Sequence, residues 1–218
     1  MTPEQLAIIH PQLFHVTQPG AWQSIKRYGL LSTEAAMNLF EAPEALRVAV
    51  RSAPRPETVP LHHPNYGVME LNDQKPMTAA ALARCLTGGL APADWLSILN
   101  NRVFFWPGEK GLQSLLGARM NRGRARDVLV FDTLSLASAH GDAMELCPIN
   151  SGSTIRRPAL RGRECFTPLG RHSYAEWRKL RGGSDRIREV TLVGPLPDPA
   201  DHIVDVRSTI GGQDTVNQ

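Results

Sequence analysis

The chain has 218 residues, of which 42% are hydrophobic and only 6% aromatic, and its formal net charge at pH 7 is +3. This length predicts one domain with a sizeable aliphatic core. No membrane span is expected, because no apolar run approaches the roughly 20 residues that a span requires. No signal peptide is expected either, because the N-terminus lacks the features of one. The three cysteines, Cys85, Cys147 and Cys165, form no C-x-x-C pair, which argues against a disulfide framework and favours a cytoplasmic protein.

Helices are predicted mainly in the first half of the chain. Residues 2–5 (TPEQ) have the pattern of a helix N-terminus, with Thr2 as the capping residue. The β-branched and aromatic run 13–17 predicts a short strand. Gly29 is expected to end the next helix, because glycine accepts a left-handed conformation. Further helices are predicted over 33–50, with a break at Pro43, and over 78–86 and 92–99.

A proline-rich stretch interrupts these helices. Residues 51–76 are predicted to form an irregular insertion, since prolines concentrate in 51–65. The stretch contains His62 and His63, but no cysteine, histidine or carboxylate stands at metal-ligand spacing from them. We therefore predict no metal site.

Strands dominate the second half of the chain. An apolar, β-rich run bracketed by polar residues predicts a buried strand over 127–132, and Pro148 indicates that 145–148 is an edge strand. The other elements predicted here are strands over 102–106, 187–193 and 203–206, a helix carrying Leu112, Leu115 and Leu116, a helix over 173–180 and a turn at 150–153. Because β-α-β alternation is rare, we predict an α+β fold, with a single domain over 1–210 and a flexible tail over 211–218.

The positive charge of the chain is concentrated in one segment. Neither a G-x-G-x-x-G sequence after a strand nor a P-loop sequence is present, which argues against the common dinucleotide and phosphate sites. Residues 156–188 instead contain ten Lys and Arg against three acids, a net charge of +7. Such a segment attracts the phosphates of a dinucleotide or a nucleic acid. A solvated, arginine-rich loop is the alternative interpretation.

Three segments of the chain resemble the ADP-ribosyltransferases. Residues 13–17 (LFHVT), followed by a helix and then 29–32 (GLLS), resemble the opening of this superfamily, most closely that of the DarT-like toxins and more distantly that of RNA 2′-phosphotransferases. Residues 102–106 (RVFFW) are similar to the second core strand of the family, and 187–193 (IREVTLV) to the strand with its glutamate. The order His, aromatic, Glu matches the H-Y-E signature. The chain also resembles an uncharacterised bacterial family with H-V-T, F-W-P and N-S-G patterns.

The resemblance implies both a fold and a substrate. The fold would be α+β, with a split mixed or antiparallel β core and an N-terminal helical portion. The substrate would be NAD. His15 would hydrogen-bond the adenosine ribose, a backbone group beside His15 would hold the carboxamide, and Thr17 would fix the end of the strand; Val16, between them, is also expected among the residues that bind the dinucleotide.

The resemblance also implies the catalytic groups. Phe104 would stack on the nicotinamide ring, with Phe105 and Trp106 as alternatives because strand alternation decides which ring faces the cleft. Glu189 would act with His15 in catalysis. Cleavage of the nicotinamide–ribose bond passes through an oxocarbenium-like transition state, as glycoside cleavage does, and a carboxylate stabilises the positive charge that develops there.

The acceptor side of the reaction is predicted around the N-S-G sequence. Asn150, Ser151 and Gly152, with Arg156 and Arg157 nearby, form a candidate substrate-side loop, since backbone N–H groups in such a turn can hold a phosphate. An ordinary turn is the alternative. The basic segment favours a nucleic acid as the acceptor of ADP-ribose, with a protein or a small molecule as the other choices.

The chain departs from the family pattern at two places. Phenylalanine stands at position 104, where active members have tyrosine, and the arginine expected soon after this strand has no close counterpart. Arg102 lies before the strand, and Arg119 lies beyond the next helix. Two interpretations follow: a NAD-dependent mono-ADP-ribosyltransferase, or a binding protein that keeps the fold without the activity.

Overall fold

The computed structural model describes residues 1–118, 121, 123–210 and 213–214. Its helices are α1 (Pro3–Ile9), α2 (Trp22–Tyr28), α3 (Thr33–Leu39), α4 (Glu44–Ser52), α5 (Ala79–Ala83), α6 (Pro92–Asn100), α7 (Glu109–Leu116), α8 (Thr133–His140) and α9 (Tyr174–Leu180). Its strands are β1 (Gln12–Thr17), β2 (Val59–His63), β3 (Gly67–Leu71), β4 (Arg102–Phe105), β5 (Ala125–Asp132), β6 (Met144–Cys147), β7 (Thr167–Pro168), β8 (Glu189–Val193), β9 (Ile203–Ile210) and β10 (Gln213–Asp214). None of the helices described here has the length and apolar character needed to cross a membrane.

The strands form two four-stranded sheets and one separate hairpin. The first sheet has the order β1-β5-β9-β10 and the second the order β4-β8-β6-β7, and every pairing between these strands is antiparallel. The two sheets meet where Phe14 and Trp106 exchange backbone hydrogen bonds of 3.0 and 2.8 Å. The predicted α+β class is confirmed.

Apolar side chains cover both faces of β5. Leu129 and Phe131 face the main core, whereas Val128 and Val130 pack with Leu112 of α7 on the other face. Burial on both faces explains why this strand is a nearly continuous apolar run in the sequence, and each such side chain contributes about 1.5–3 kcal/mol. The main core joins the two sheets through Leu13, Phe105, Leu146, Val190 and Leu192.

Local sequence patterns place two helix N-termini. The Thr2 hydroxyl accepts a hydrogen bond from the backbone N–H of Gln5, and the Gln5 side chain accepts one from the backbone N–H of Thr2, which completes the predicted capping box. Asp132 ends β5 and caps α8, since its carboxylate accepts a 2.7 Å hydrogen bond from the backbone N–H of Ser135. Helix α8 was not expected from the sequence.

Gly29 holds the early part of the chain against the segment after β8. Its φ is +85°, and a Cβ atom there would lie 2.7 Å from the Leu196 carbonyl oxygen. Both the left-handed conformation and the close approach therefore require glycine. The approach allows Leu30 and Leu196 to exchange backbone hydrogen bonds of 2.8 Å.

Two predicted elements differ from the structure. The stretch 51–76, expected to be irregular, contains the hairpin β2–β3; Pro60 fits in it because each strand of a two-stranded hairpin has a free edge. Strand β6 is not an edge strand, since β8 and β7 flank it, and Pro148 follows its last residue without removing a ladder hydrogen bond. Of the predicted tail, only Gln213–Asp214 lie within the described residues, where they pair with β9.

Candidate functional site

The three segments that carry the predicted site lie on neighbouring strands. Strand β1 meets β4 at the Phe14–Trp106 pair, and β4 pairs with β8 so that Phe105 is opposite Val190. Because adjacent strands lie roughly 5 Å apart, the backbones that bear His15 and Glu189 are separated by about 10 Å across β4.

The His15 side chain links β1 to β4. Its Nδ1 lies 2.9 Å from the Phe104 carbonyl oxygen, and because a carbonyl only accepts, the proton of a neutral imidazole is on Nδ1. Burial lowers the pKa of His15, although the Phe104 hydrogen bond opposes that shift. The ring is therefore neutral at pH 7, and its Nε2 is an acceptor that no described residue uses.

The backbone N–H and C=O of Val16 point to the β4 side of β1, beyond the pair that joins the two sheets. Backbone groups along a strand alternate in direction, and those of Phe14 point to β4, where they bond Trp106. The N–H and C=O of Val16, two residues further along, therefore also point to the β4 side. Beyond the Phe14–Trp106 pair, the described residues provide no backbone hydrogen bond to Val16 on that side. One donor and one acceptor are thus available at the end of β1, and Thr17, partly exposed, follows them.

The three aromatic rings at β4 have different surroundings. Phe105 is fully buried in the main core, with its ring 5.2 Å from that of Phe131, so neither face can receive a ligand. Phe104 is partly buried beside the cluster that contains Trp95. Trp106 is partly buried and packs in the cluster that includes Val16. Phe104 and Trp106 remain candidates for stacking on a ligand, and Phe105 does not.

Glu189 is the first residue of β8, and its side chain is almost completely buried, with 3% of the residue exposed. Its Oε1 accepts a 3.0 Å hydrogen bond from the backbone N–H of Ser151, while its Oε2 has no hydrogen-bond partner among the described residues. Burial raises the pKa of Glu189 to about 7, against the opposing effects of Ser151 and the Arg161 guanidinium. The carboxyl group therefore changes its protonation state near neutral pH.

The predicted substrate-side loop lies over Glu189 and is held there by Arg161. This guanidinium donates 2.9 Å hydrogen bonds to the carbonyl oxygens of Ser151 and Ser153, and Trp95 donates a longer one to Ser151. Ser151 is itself fully buried. The structure thus brings Ser151 of the N-S-G sequence and Glu189 together, whereas Asn150 is exposed and Gly152 partly buried.

Arg161 is a site residue that sequence analysis missed. It is 1% exposed, yet in the sequence it is one of ten basic residues in the segment 156–188 and was counted as surface charge. No local pattern distinguishes it from its neighbours. Its role becomes visible only when three carbonyl oxygens, of Ser151, Ser153 and Ala159, converge on the guanidinium.

The other basic residues of this segment are mostly at the surface. Eight of the ten are exposed, and they are Arg156, Arg157, Arg163, Arg171, Arg178, Lys179, Arg186 and Arg188. Among the ion pairs of the described residues, none includes a Lys or Arg of this segment. One of its acids, Asp185, instead contacts His10 at 2.8 Å. The segment therefore presents uncompensated positive charge to solvent.

A cavity of about 310 Å³ opens beside the loop, with Ile149, Leu160, Arg181 and Arg186 in its lining. The Arg181 guanidinium lies over the Trp177 ring, 4.0 Å from its centroid, and its buried Nε has no hydrogen-bond partner in the described part of the chain. The cavity therefore combines apolar walls with two cationic side chains and one carboxylate, that of Glu164.

The structure does not bring His15 and Glu189 into contact. The His15 ring packs edge-on against Phe105, with centroids 6.1 Å apart. Val190, opposite Phe105, faces the same core, so the preceding Glu189 side chain points to the other face of β8. The carboxylate is thus reached from the side of the Ser151 loop.

The arginine that the family pattern places after the aromatic strand has no counterpart at the site among the described residues. Arg102 pairs with Glu145 at 2.8 Å and lies over the Phe166 ring, so its guanidinium is already engaged. Arg119 lies outside the described residues. Cys147, opposite Glu189 in the β6–β8 ladder, is fully buried, and burial raises the pKa of its thiol far above the ordinary value. Burial therefore disfavours the thiolate, which is the nucleophilic form of a cysteine.

Comparison with protein families finds one match. A model described as a family of unknown function, DUF7002, matches residues 11–203, which include β1, β4, β8 and the Ser151 loop. A comparison with curated proteins finds no match.

Proposed function

The chain belongs to the DUF7002 family, whose function is unknown, and we propose that it is a NAD-dependent mono-ADP-ribosyltransferase of the DarT-like kind, with a nucleic acid as the favoured acceptor. The observation that supports this most directly is the end of β1. There the Val16 N–H and C=O, on the β4 side of β1, and the Nε2 of His15 have no hydrogen-bond partner among the described residues.

These groups match the two ends of the substrate. A carboxamide offers one acceptor and two donors, so it can pair with the N–H and C=O of Val16 as a neighbouring strand would. The His15 Nε2 then accepts a hydrogen bond from a ribose hydroxyl, because Nδ1 is held by Phe104. Trp106, which packs at Val16, or Phe104 provides a ring for stacking on the nicotinamide.

The transfer step uses Glu189 as a carboxylate. The C1′–N bond of NAD breaks, nicotinamide leaves as a neutral molecule with the bonding electron pair, and positive charge develops on the ribose. The acceptor nucleophile forms the new bond to C1′ and its proton passes to Glu189. Because Ser151 covers Glu189 and this side chain points to the face of β8 opposite to the His15 ring, the proposal requires outward movement of the loop and a substrate that extends past the end of β4 to both groups.

The acceptor proposal depends on the exposed basic segment. Eight exposed cationic side chains lie in the segment that follows the loop in sequence, and phosphate contacts from such residues provide most of the affinity for nucleic acids. Arg156 and Arg186 also have positive φ values of 62° and 46°, a costly backbone conformation that is concentrated at functional loops. Arg181 and Arg186 in the nearby cavity can hold a phosphate of the acceptor.

The test is nicotinamide release from NAD, measured with single- and double-stranded DNA and RNA as acceptors. We expect release and label transfer with the natural chain, and a fall to background with Glu189→Gln. Glu44→Gln is the matched control, because this carboxylate is exposed in the first turn of α4, away from the proposed site, and its activity should be unchanged. No release and no shift of the melting temperature with NAD would refute the proposal.

A second candidate, a NAD-binding protein without transferase activity, is favoured by the closed state of Glu189. With only 3% of the residue exposed, the carboxylate cannot reach a ribose unless the loop moves. The two candidates separate in the same experiment. Binding of NAD without nicotinamide release, in the presence of every acceptor tested, would select the second.

A further inference from the structure

Two histidines and an aspartate lie close together at the C-terminal end of α8. His140 is the last residue of α8, Asp198 lies in the turn after β8, and His202 immediately precedes β9. One ligand-type atom from each lies within 4.8 Å of the other two, and this is the one such group found among the described residues. Sequence analysis did not find it, because the three residues belong to separate elements.

The distances in this group, which join the two histidines to different oxygens of Asp198, are close to those between the ligands of a tetrahedral metal ion. The His140 Nε2 lies 2.8 Å from Asp198 Oδ1, and the His202 Nε2 lies 3.8 Å from Asp198 Oδ2. Zinc binds nitrogen and oxygen ligands at about 2.0–2.1 Å, so two ligands of a tetrahedral site are about 3.3 Å apart. The two measured distances fall on either side of that value, and side-chain shifts of under about 1 Å would make them equal.

His202 is oriented toward the centre of the group. Its Nδ1 lies 2.8 Å from the Ser135 hydroxyl, and a hydrogen bond of this kind to the second ring nitrogen fixes the tautomer of metal-binding histidines. Its Nε2, on the side of Asp198, is buried and has no hydrogen-bond partner in the described residues. The whole residue is 6% exposed. A buried, unpaired nitrogen is costly unless something binds it.

We propose that His140, Asp198 and His202 bind a divalent transition-metal ion, with zinc as the best fit. Two imidazoles and one carboxylate are a ligand set typical of zinc. They leave one position open, and it lies toward solvent, because the side chains of Asp198 and His140 are 40% and 19% exposed. The ion joins the end of α8 to the β8–β9 connection, independently of the proposed NAD site.

The experiment is titration of the metal-free, tag-free protein with ZnCl₂ in a calorimeter, together with melting temperatures. We expect one zinc per chain and a rise in melting temperature, since the ion binds only the folded state. His140→Ala and Asp198→Asn, both partly exposed and therefore tolerant of change, should each weaken binding about 100-fold or more. Ser135→Ala should weaken it about 10-fold, as loss of an outer hydrogen bond does.

The matched control is His10→Ala. His10 and Asp185 form a His–Asp pair at the same 2.8 Å separation, but no third ligand joins them in the described part of the chain. Its zinc affinity should equal that of the natural chain. Absence of saturable one-to-one binding, or affinities of His140→Ala and Asp198→Asn within twofold of the control, would overturn the proposal and leave a hydrogen-bonded His–Asp–His cluster.

Discussion

The two sides of the proposed NAD site differ in how ready they are for a ligand. On the side of β1, His15 has a free Nε2 and Val16 has unpaired backbone groups. On the side of β8, Glu189 is buried beneath Ser151, whose carbonyl oxygen is held by Arg161. His15 and Glu189 are both removed from water. The His15 Nε2 has no partner among the described residues, whereas Glu189 accepts a hydrogen bond from Ser151.

This difference indicates a division of roles. The open side recognises a ligand without rearrangement, so it governs affinity. The closed side requires a loop movement before chemistry, so it governs the rate. In the proposed reaction, shielding of Glu189 from water would also protect the ribosyl cation from hydrolysis until the acceptor is in place.

The largest effect is expected from opening the closed side. Arg161→Ala removes the guanidinium that bonds three carbonyl oxygens, of which that of Ser151 is buried and the other two are partly buried. We expect a loss of about 4 kcal/mol in the free energy of unfolding, measured with urea, because charged buried hydrogen bonds contribute roughly 1.5–3 kcal/mol each and some are replaced by water. Arg163→Ala, an exposed neighbour, is the control and should change stability by under about 0.5 kcal/mol.

The next effect is a dependence of the free energy of unfolding on pH. Glu189 and His15 contribute to it with opposite signs. Burial raises the Glu189 pKa from 4.5 to about 7, so the folded state holds this proton more tightly than the unfolded chain. Stability from this group is therefore lost as the pH rises from about 4.5 to 7, by on the order of 3 kcal/mol. Burial lowers the His15 pKa below 6.5, so its contribution increases as the pH rises toward 6.5.

Urea unfolding at several pH values separates the two contributions. The difference in stability between the natural chain and Glu189→Gln should change steadily between pH 4.5 and 7 and remain constant above that range. If this stability difference were the same at all pH values, Glu189 would not be desolvated in the folded state. The interpretation of the β8 side as closed would then be wrong.

The smallest effect is expected at the open side. His15→Asn keeps a side chain that can donate to the Phe104 carbonyl but removes the imidazole Nε2. We expect the KM for NAD to rise about 10-fold with little change in kcat, since loss of one hydrogen bond costs roughly 1.4 kcal/mol and acts on binding. His62→Ala, on the exposed face of β2, is the control. A fall in kcat alone would reverse the assignment of affinity to this side.

Elements with strong local patterns were predictable. The capping box of α1 and the buried strand β5 follow from neighbouring residues alone, and both are present. The β2–β3 hairpin was not predictable, because it is stabilised by packing of Leu61 and Leu71 against Phe40 of the α3 region, far away in sequence. Prolines such as Pro60 argued against strands in this stretch, since proline disfavours strands except at free edges.

The site was predictable only as separate parts. Strand patterns and the family resemblance indicated His15 and Glu189, but the contact between Glu189 and Ser151 depends on the pairing of β6 with β8, which places Cys147 opposite Glu189. That pairing is non-local. The burial of Arg161 and the approach of Asp198 to His140 and His202 have the same origin. Chain topology, rather than spacing in the sequence, creates these contacts.

The junction of the two sheets has a mechanical consequence. Phe14 and Trp106 supply the single backbone pair that joins β1 to β4 in the described residues, so the sheets are coupled at a point and not along an edge. A small tilt about that point changes the width of the gap beside Val16 while each ladder stays intact. If the proposed nucleotide site lies beside Val16, a small tilt about this pair would widen or narrow it.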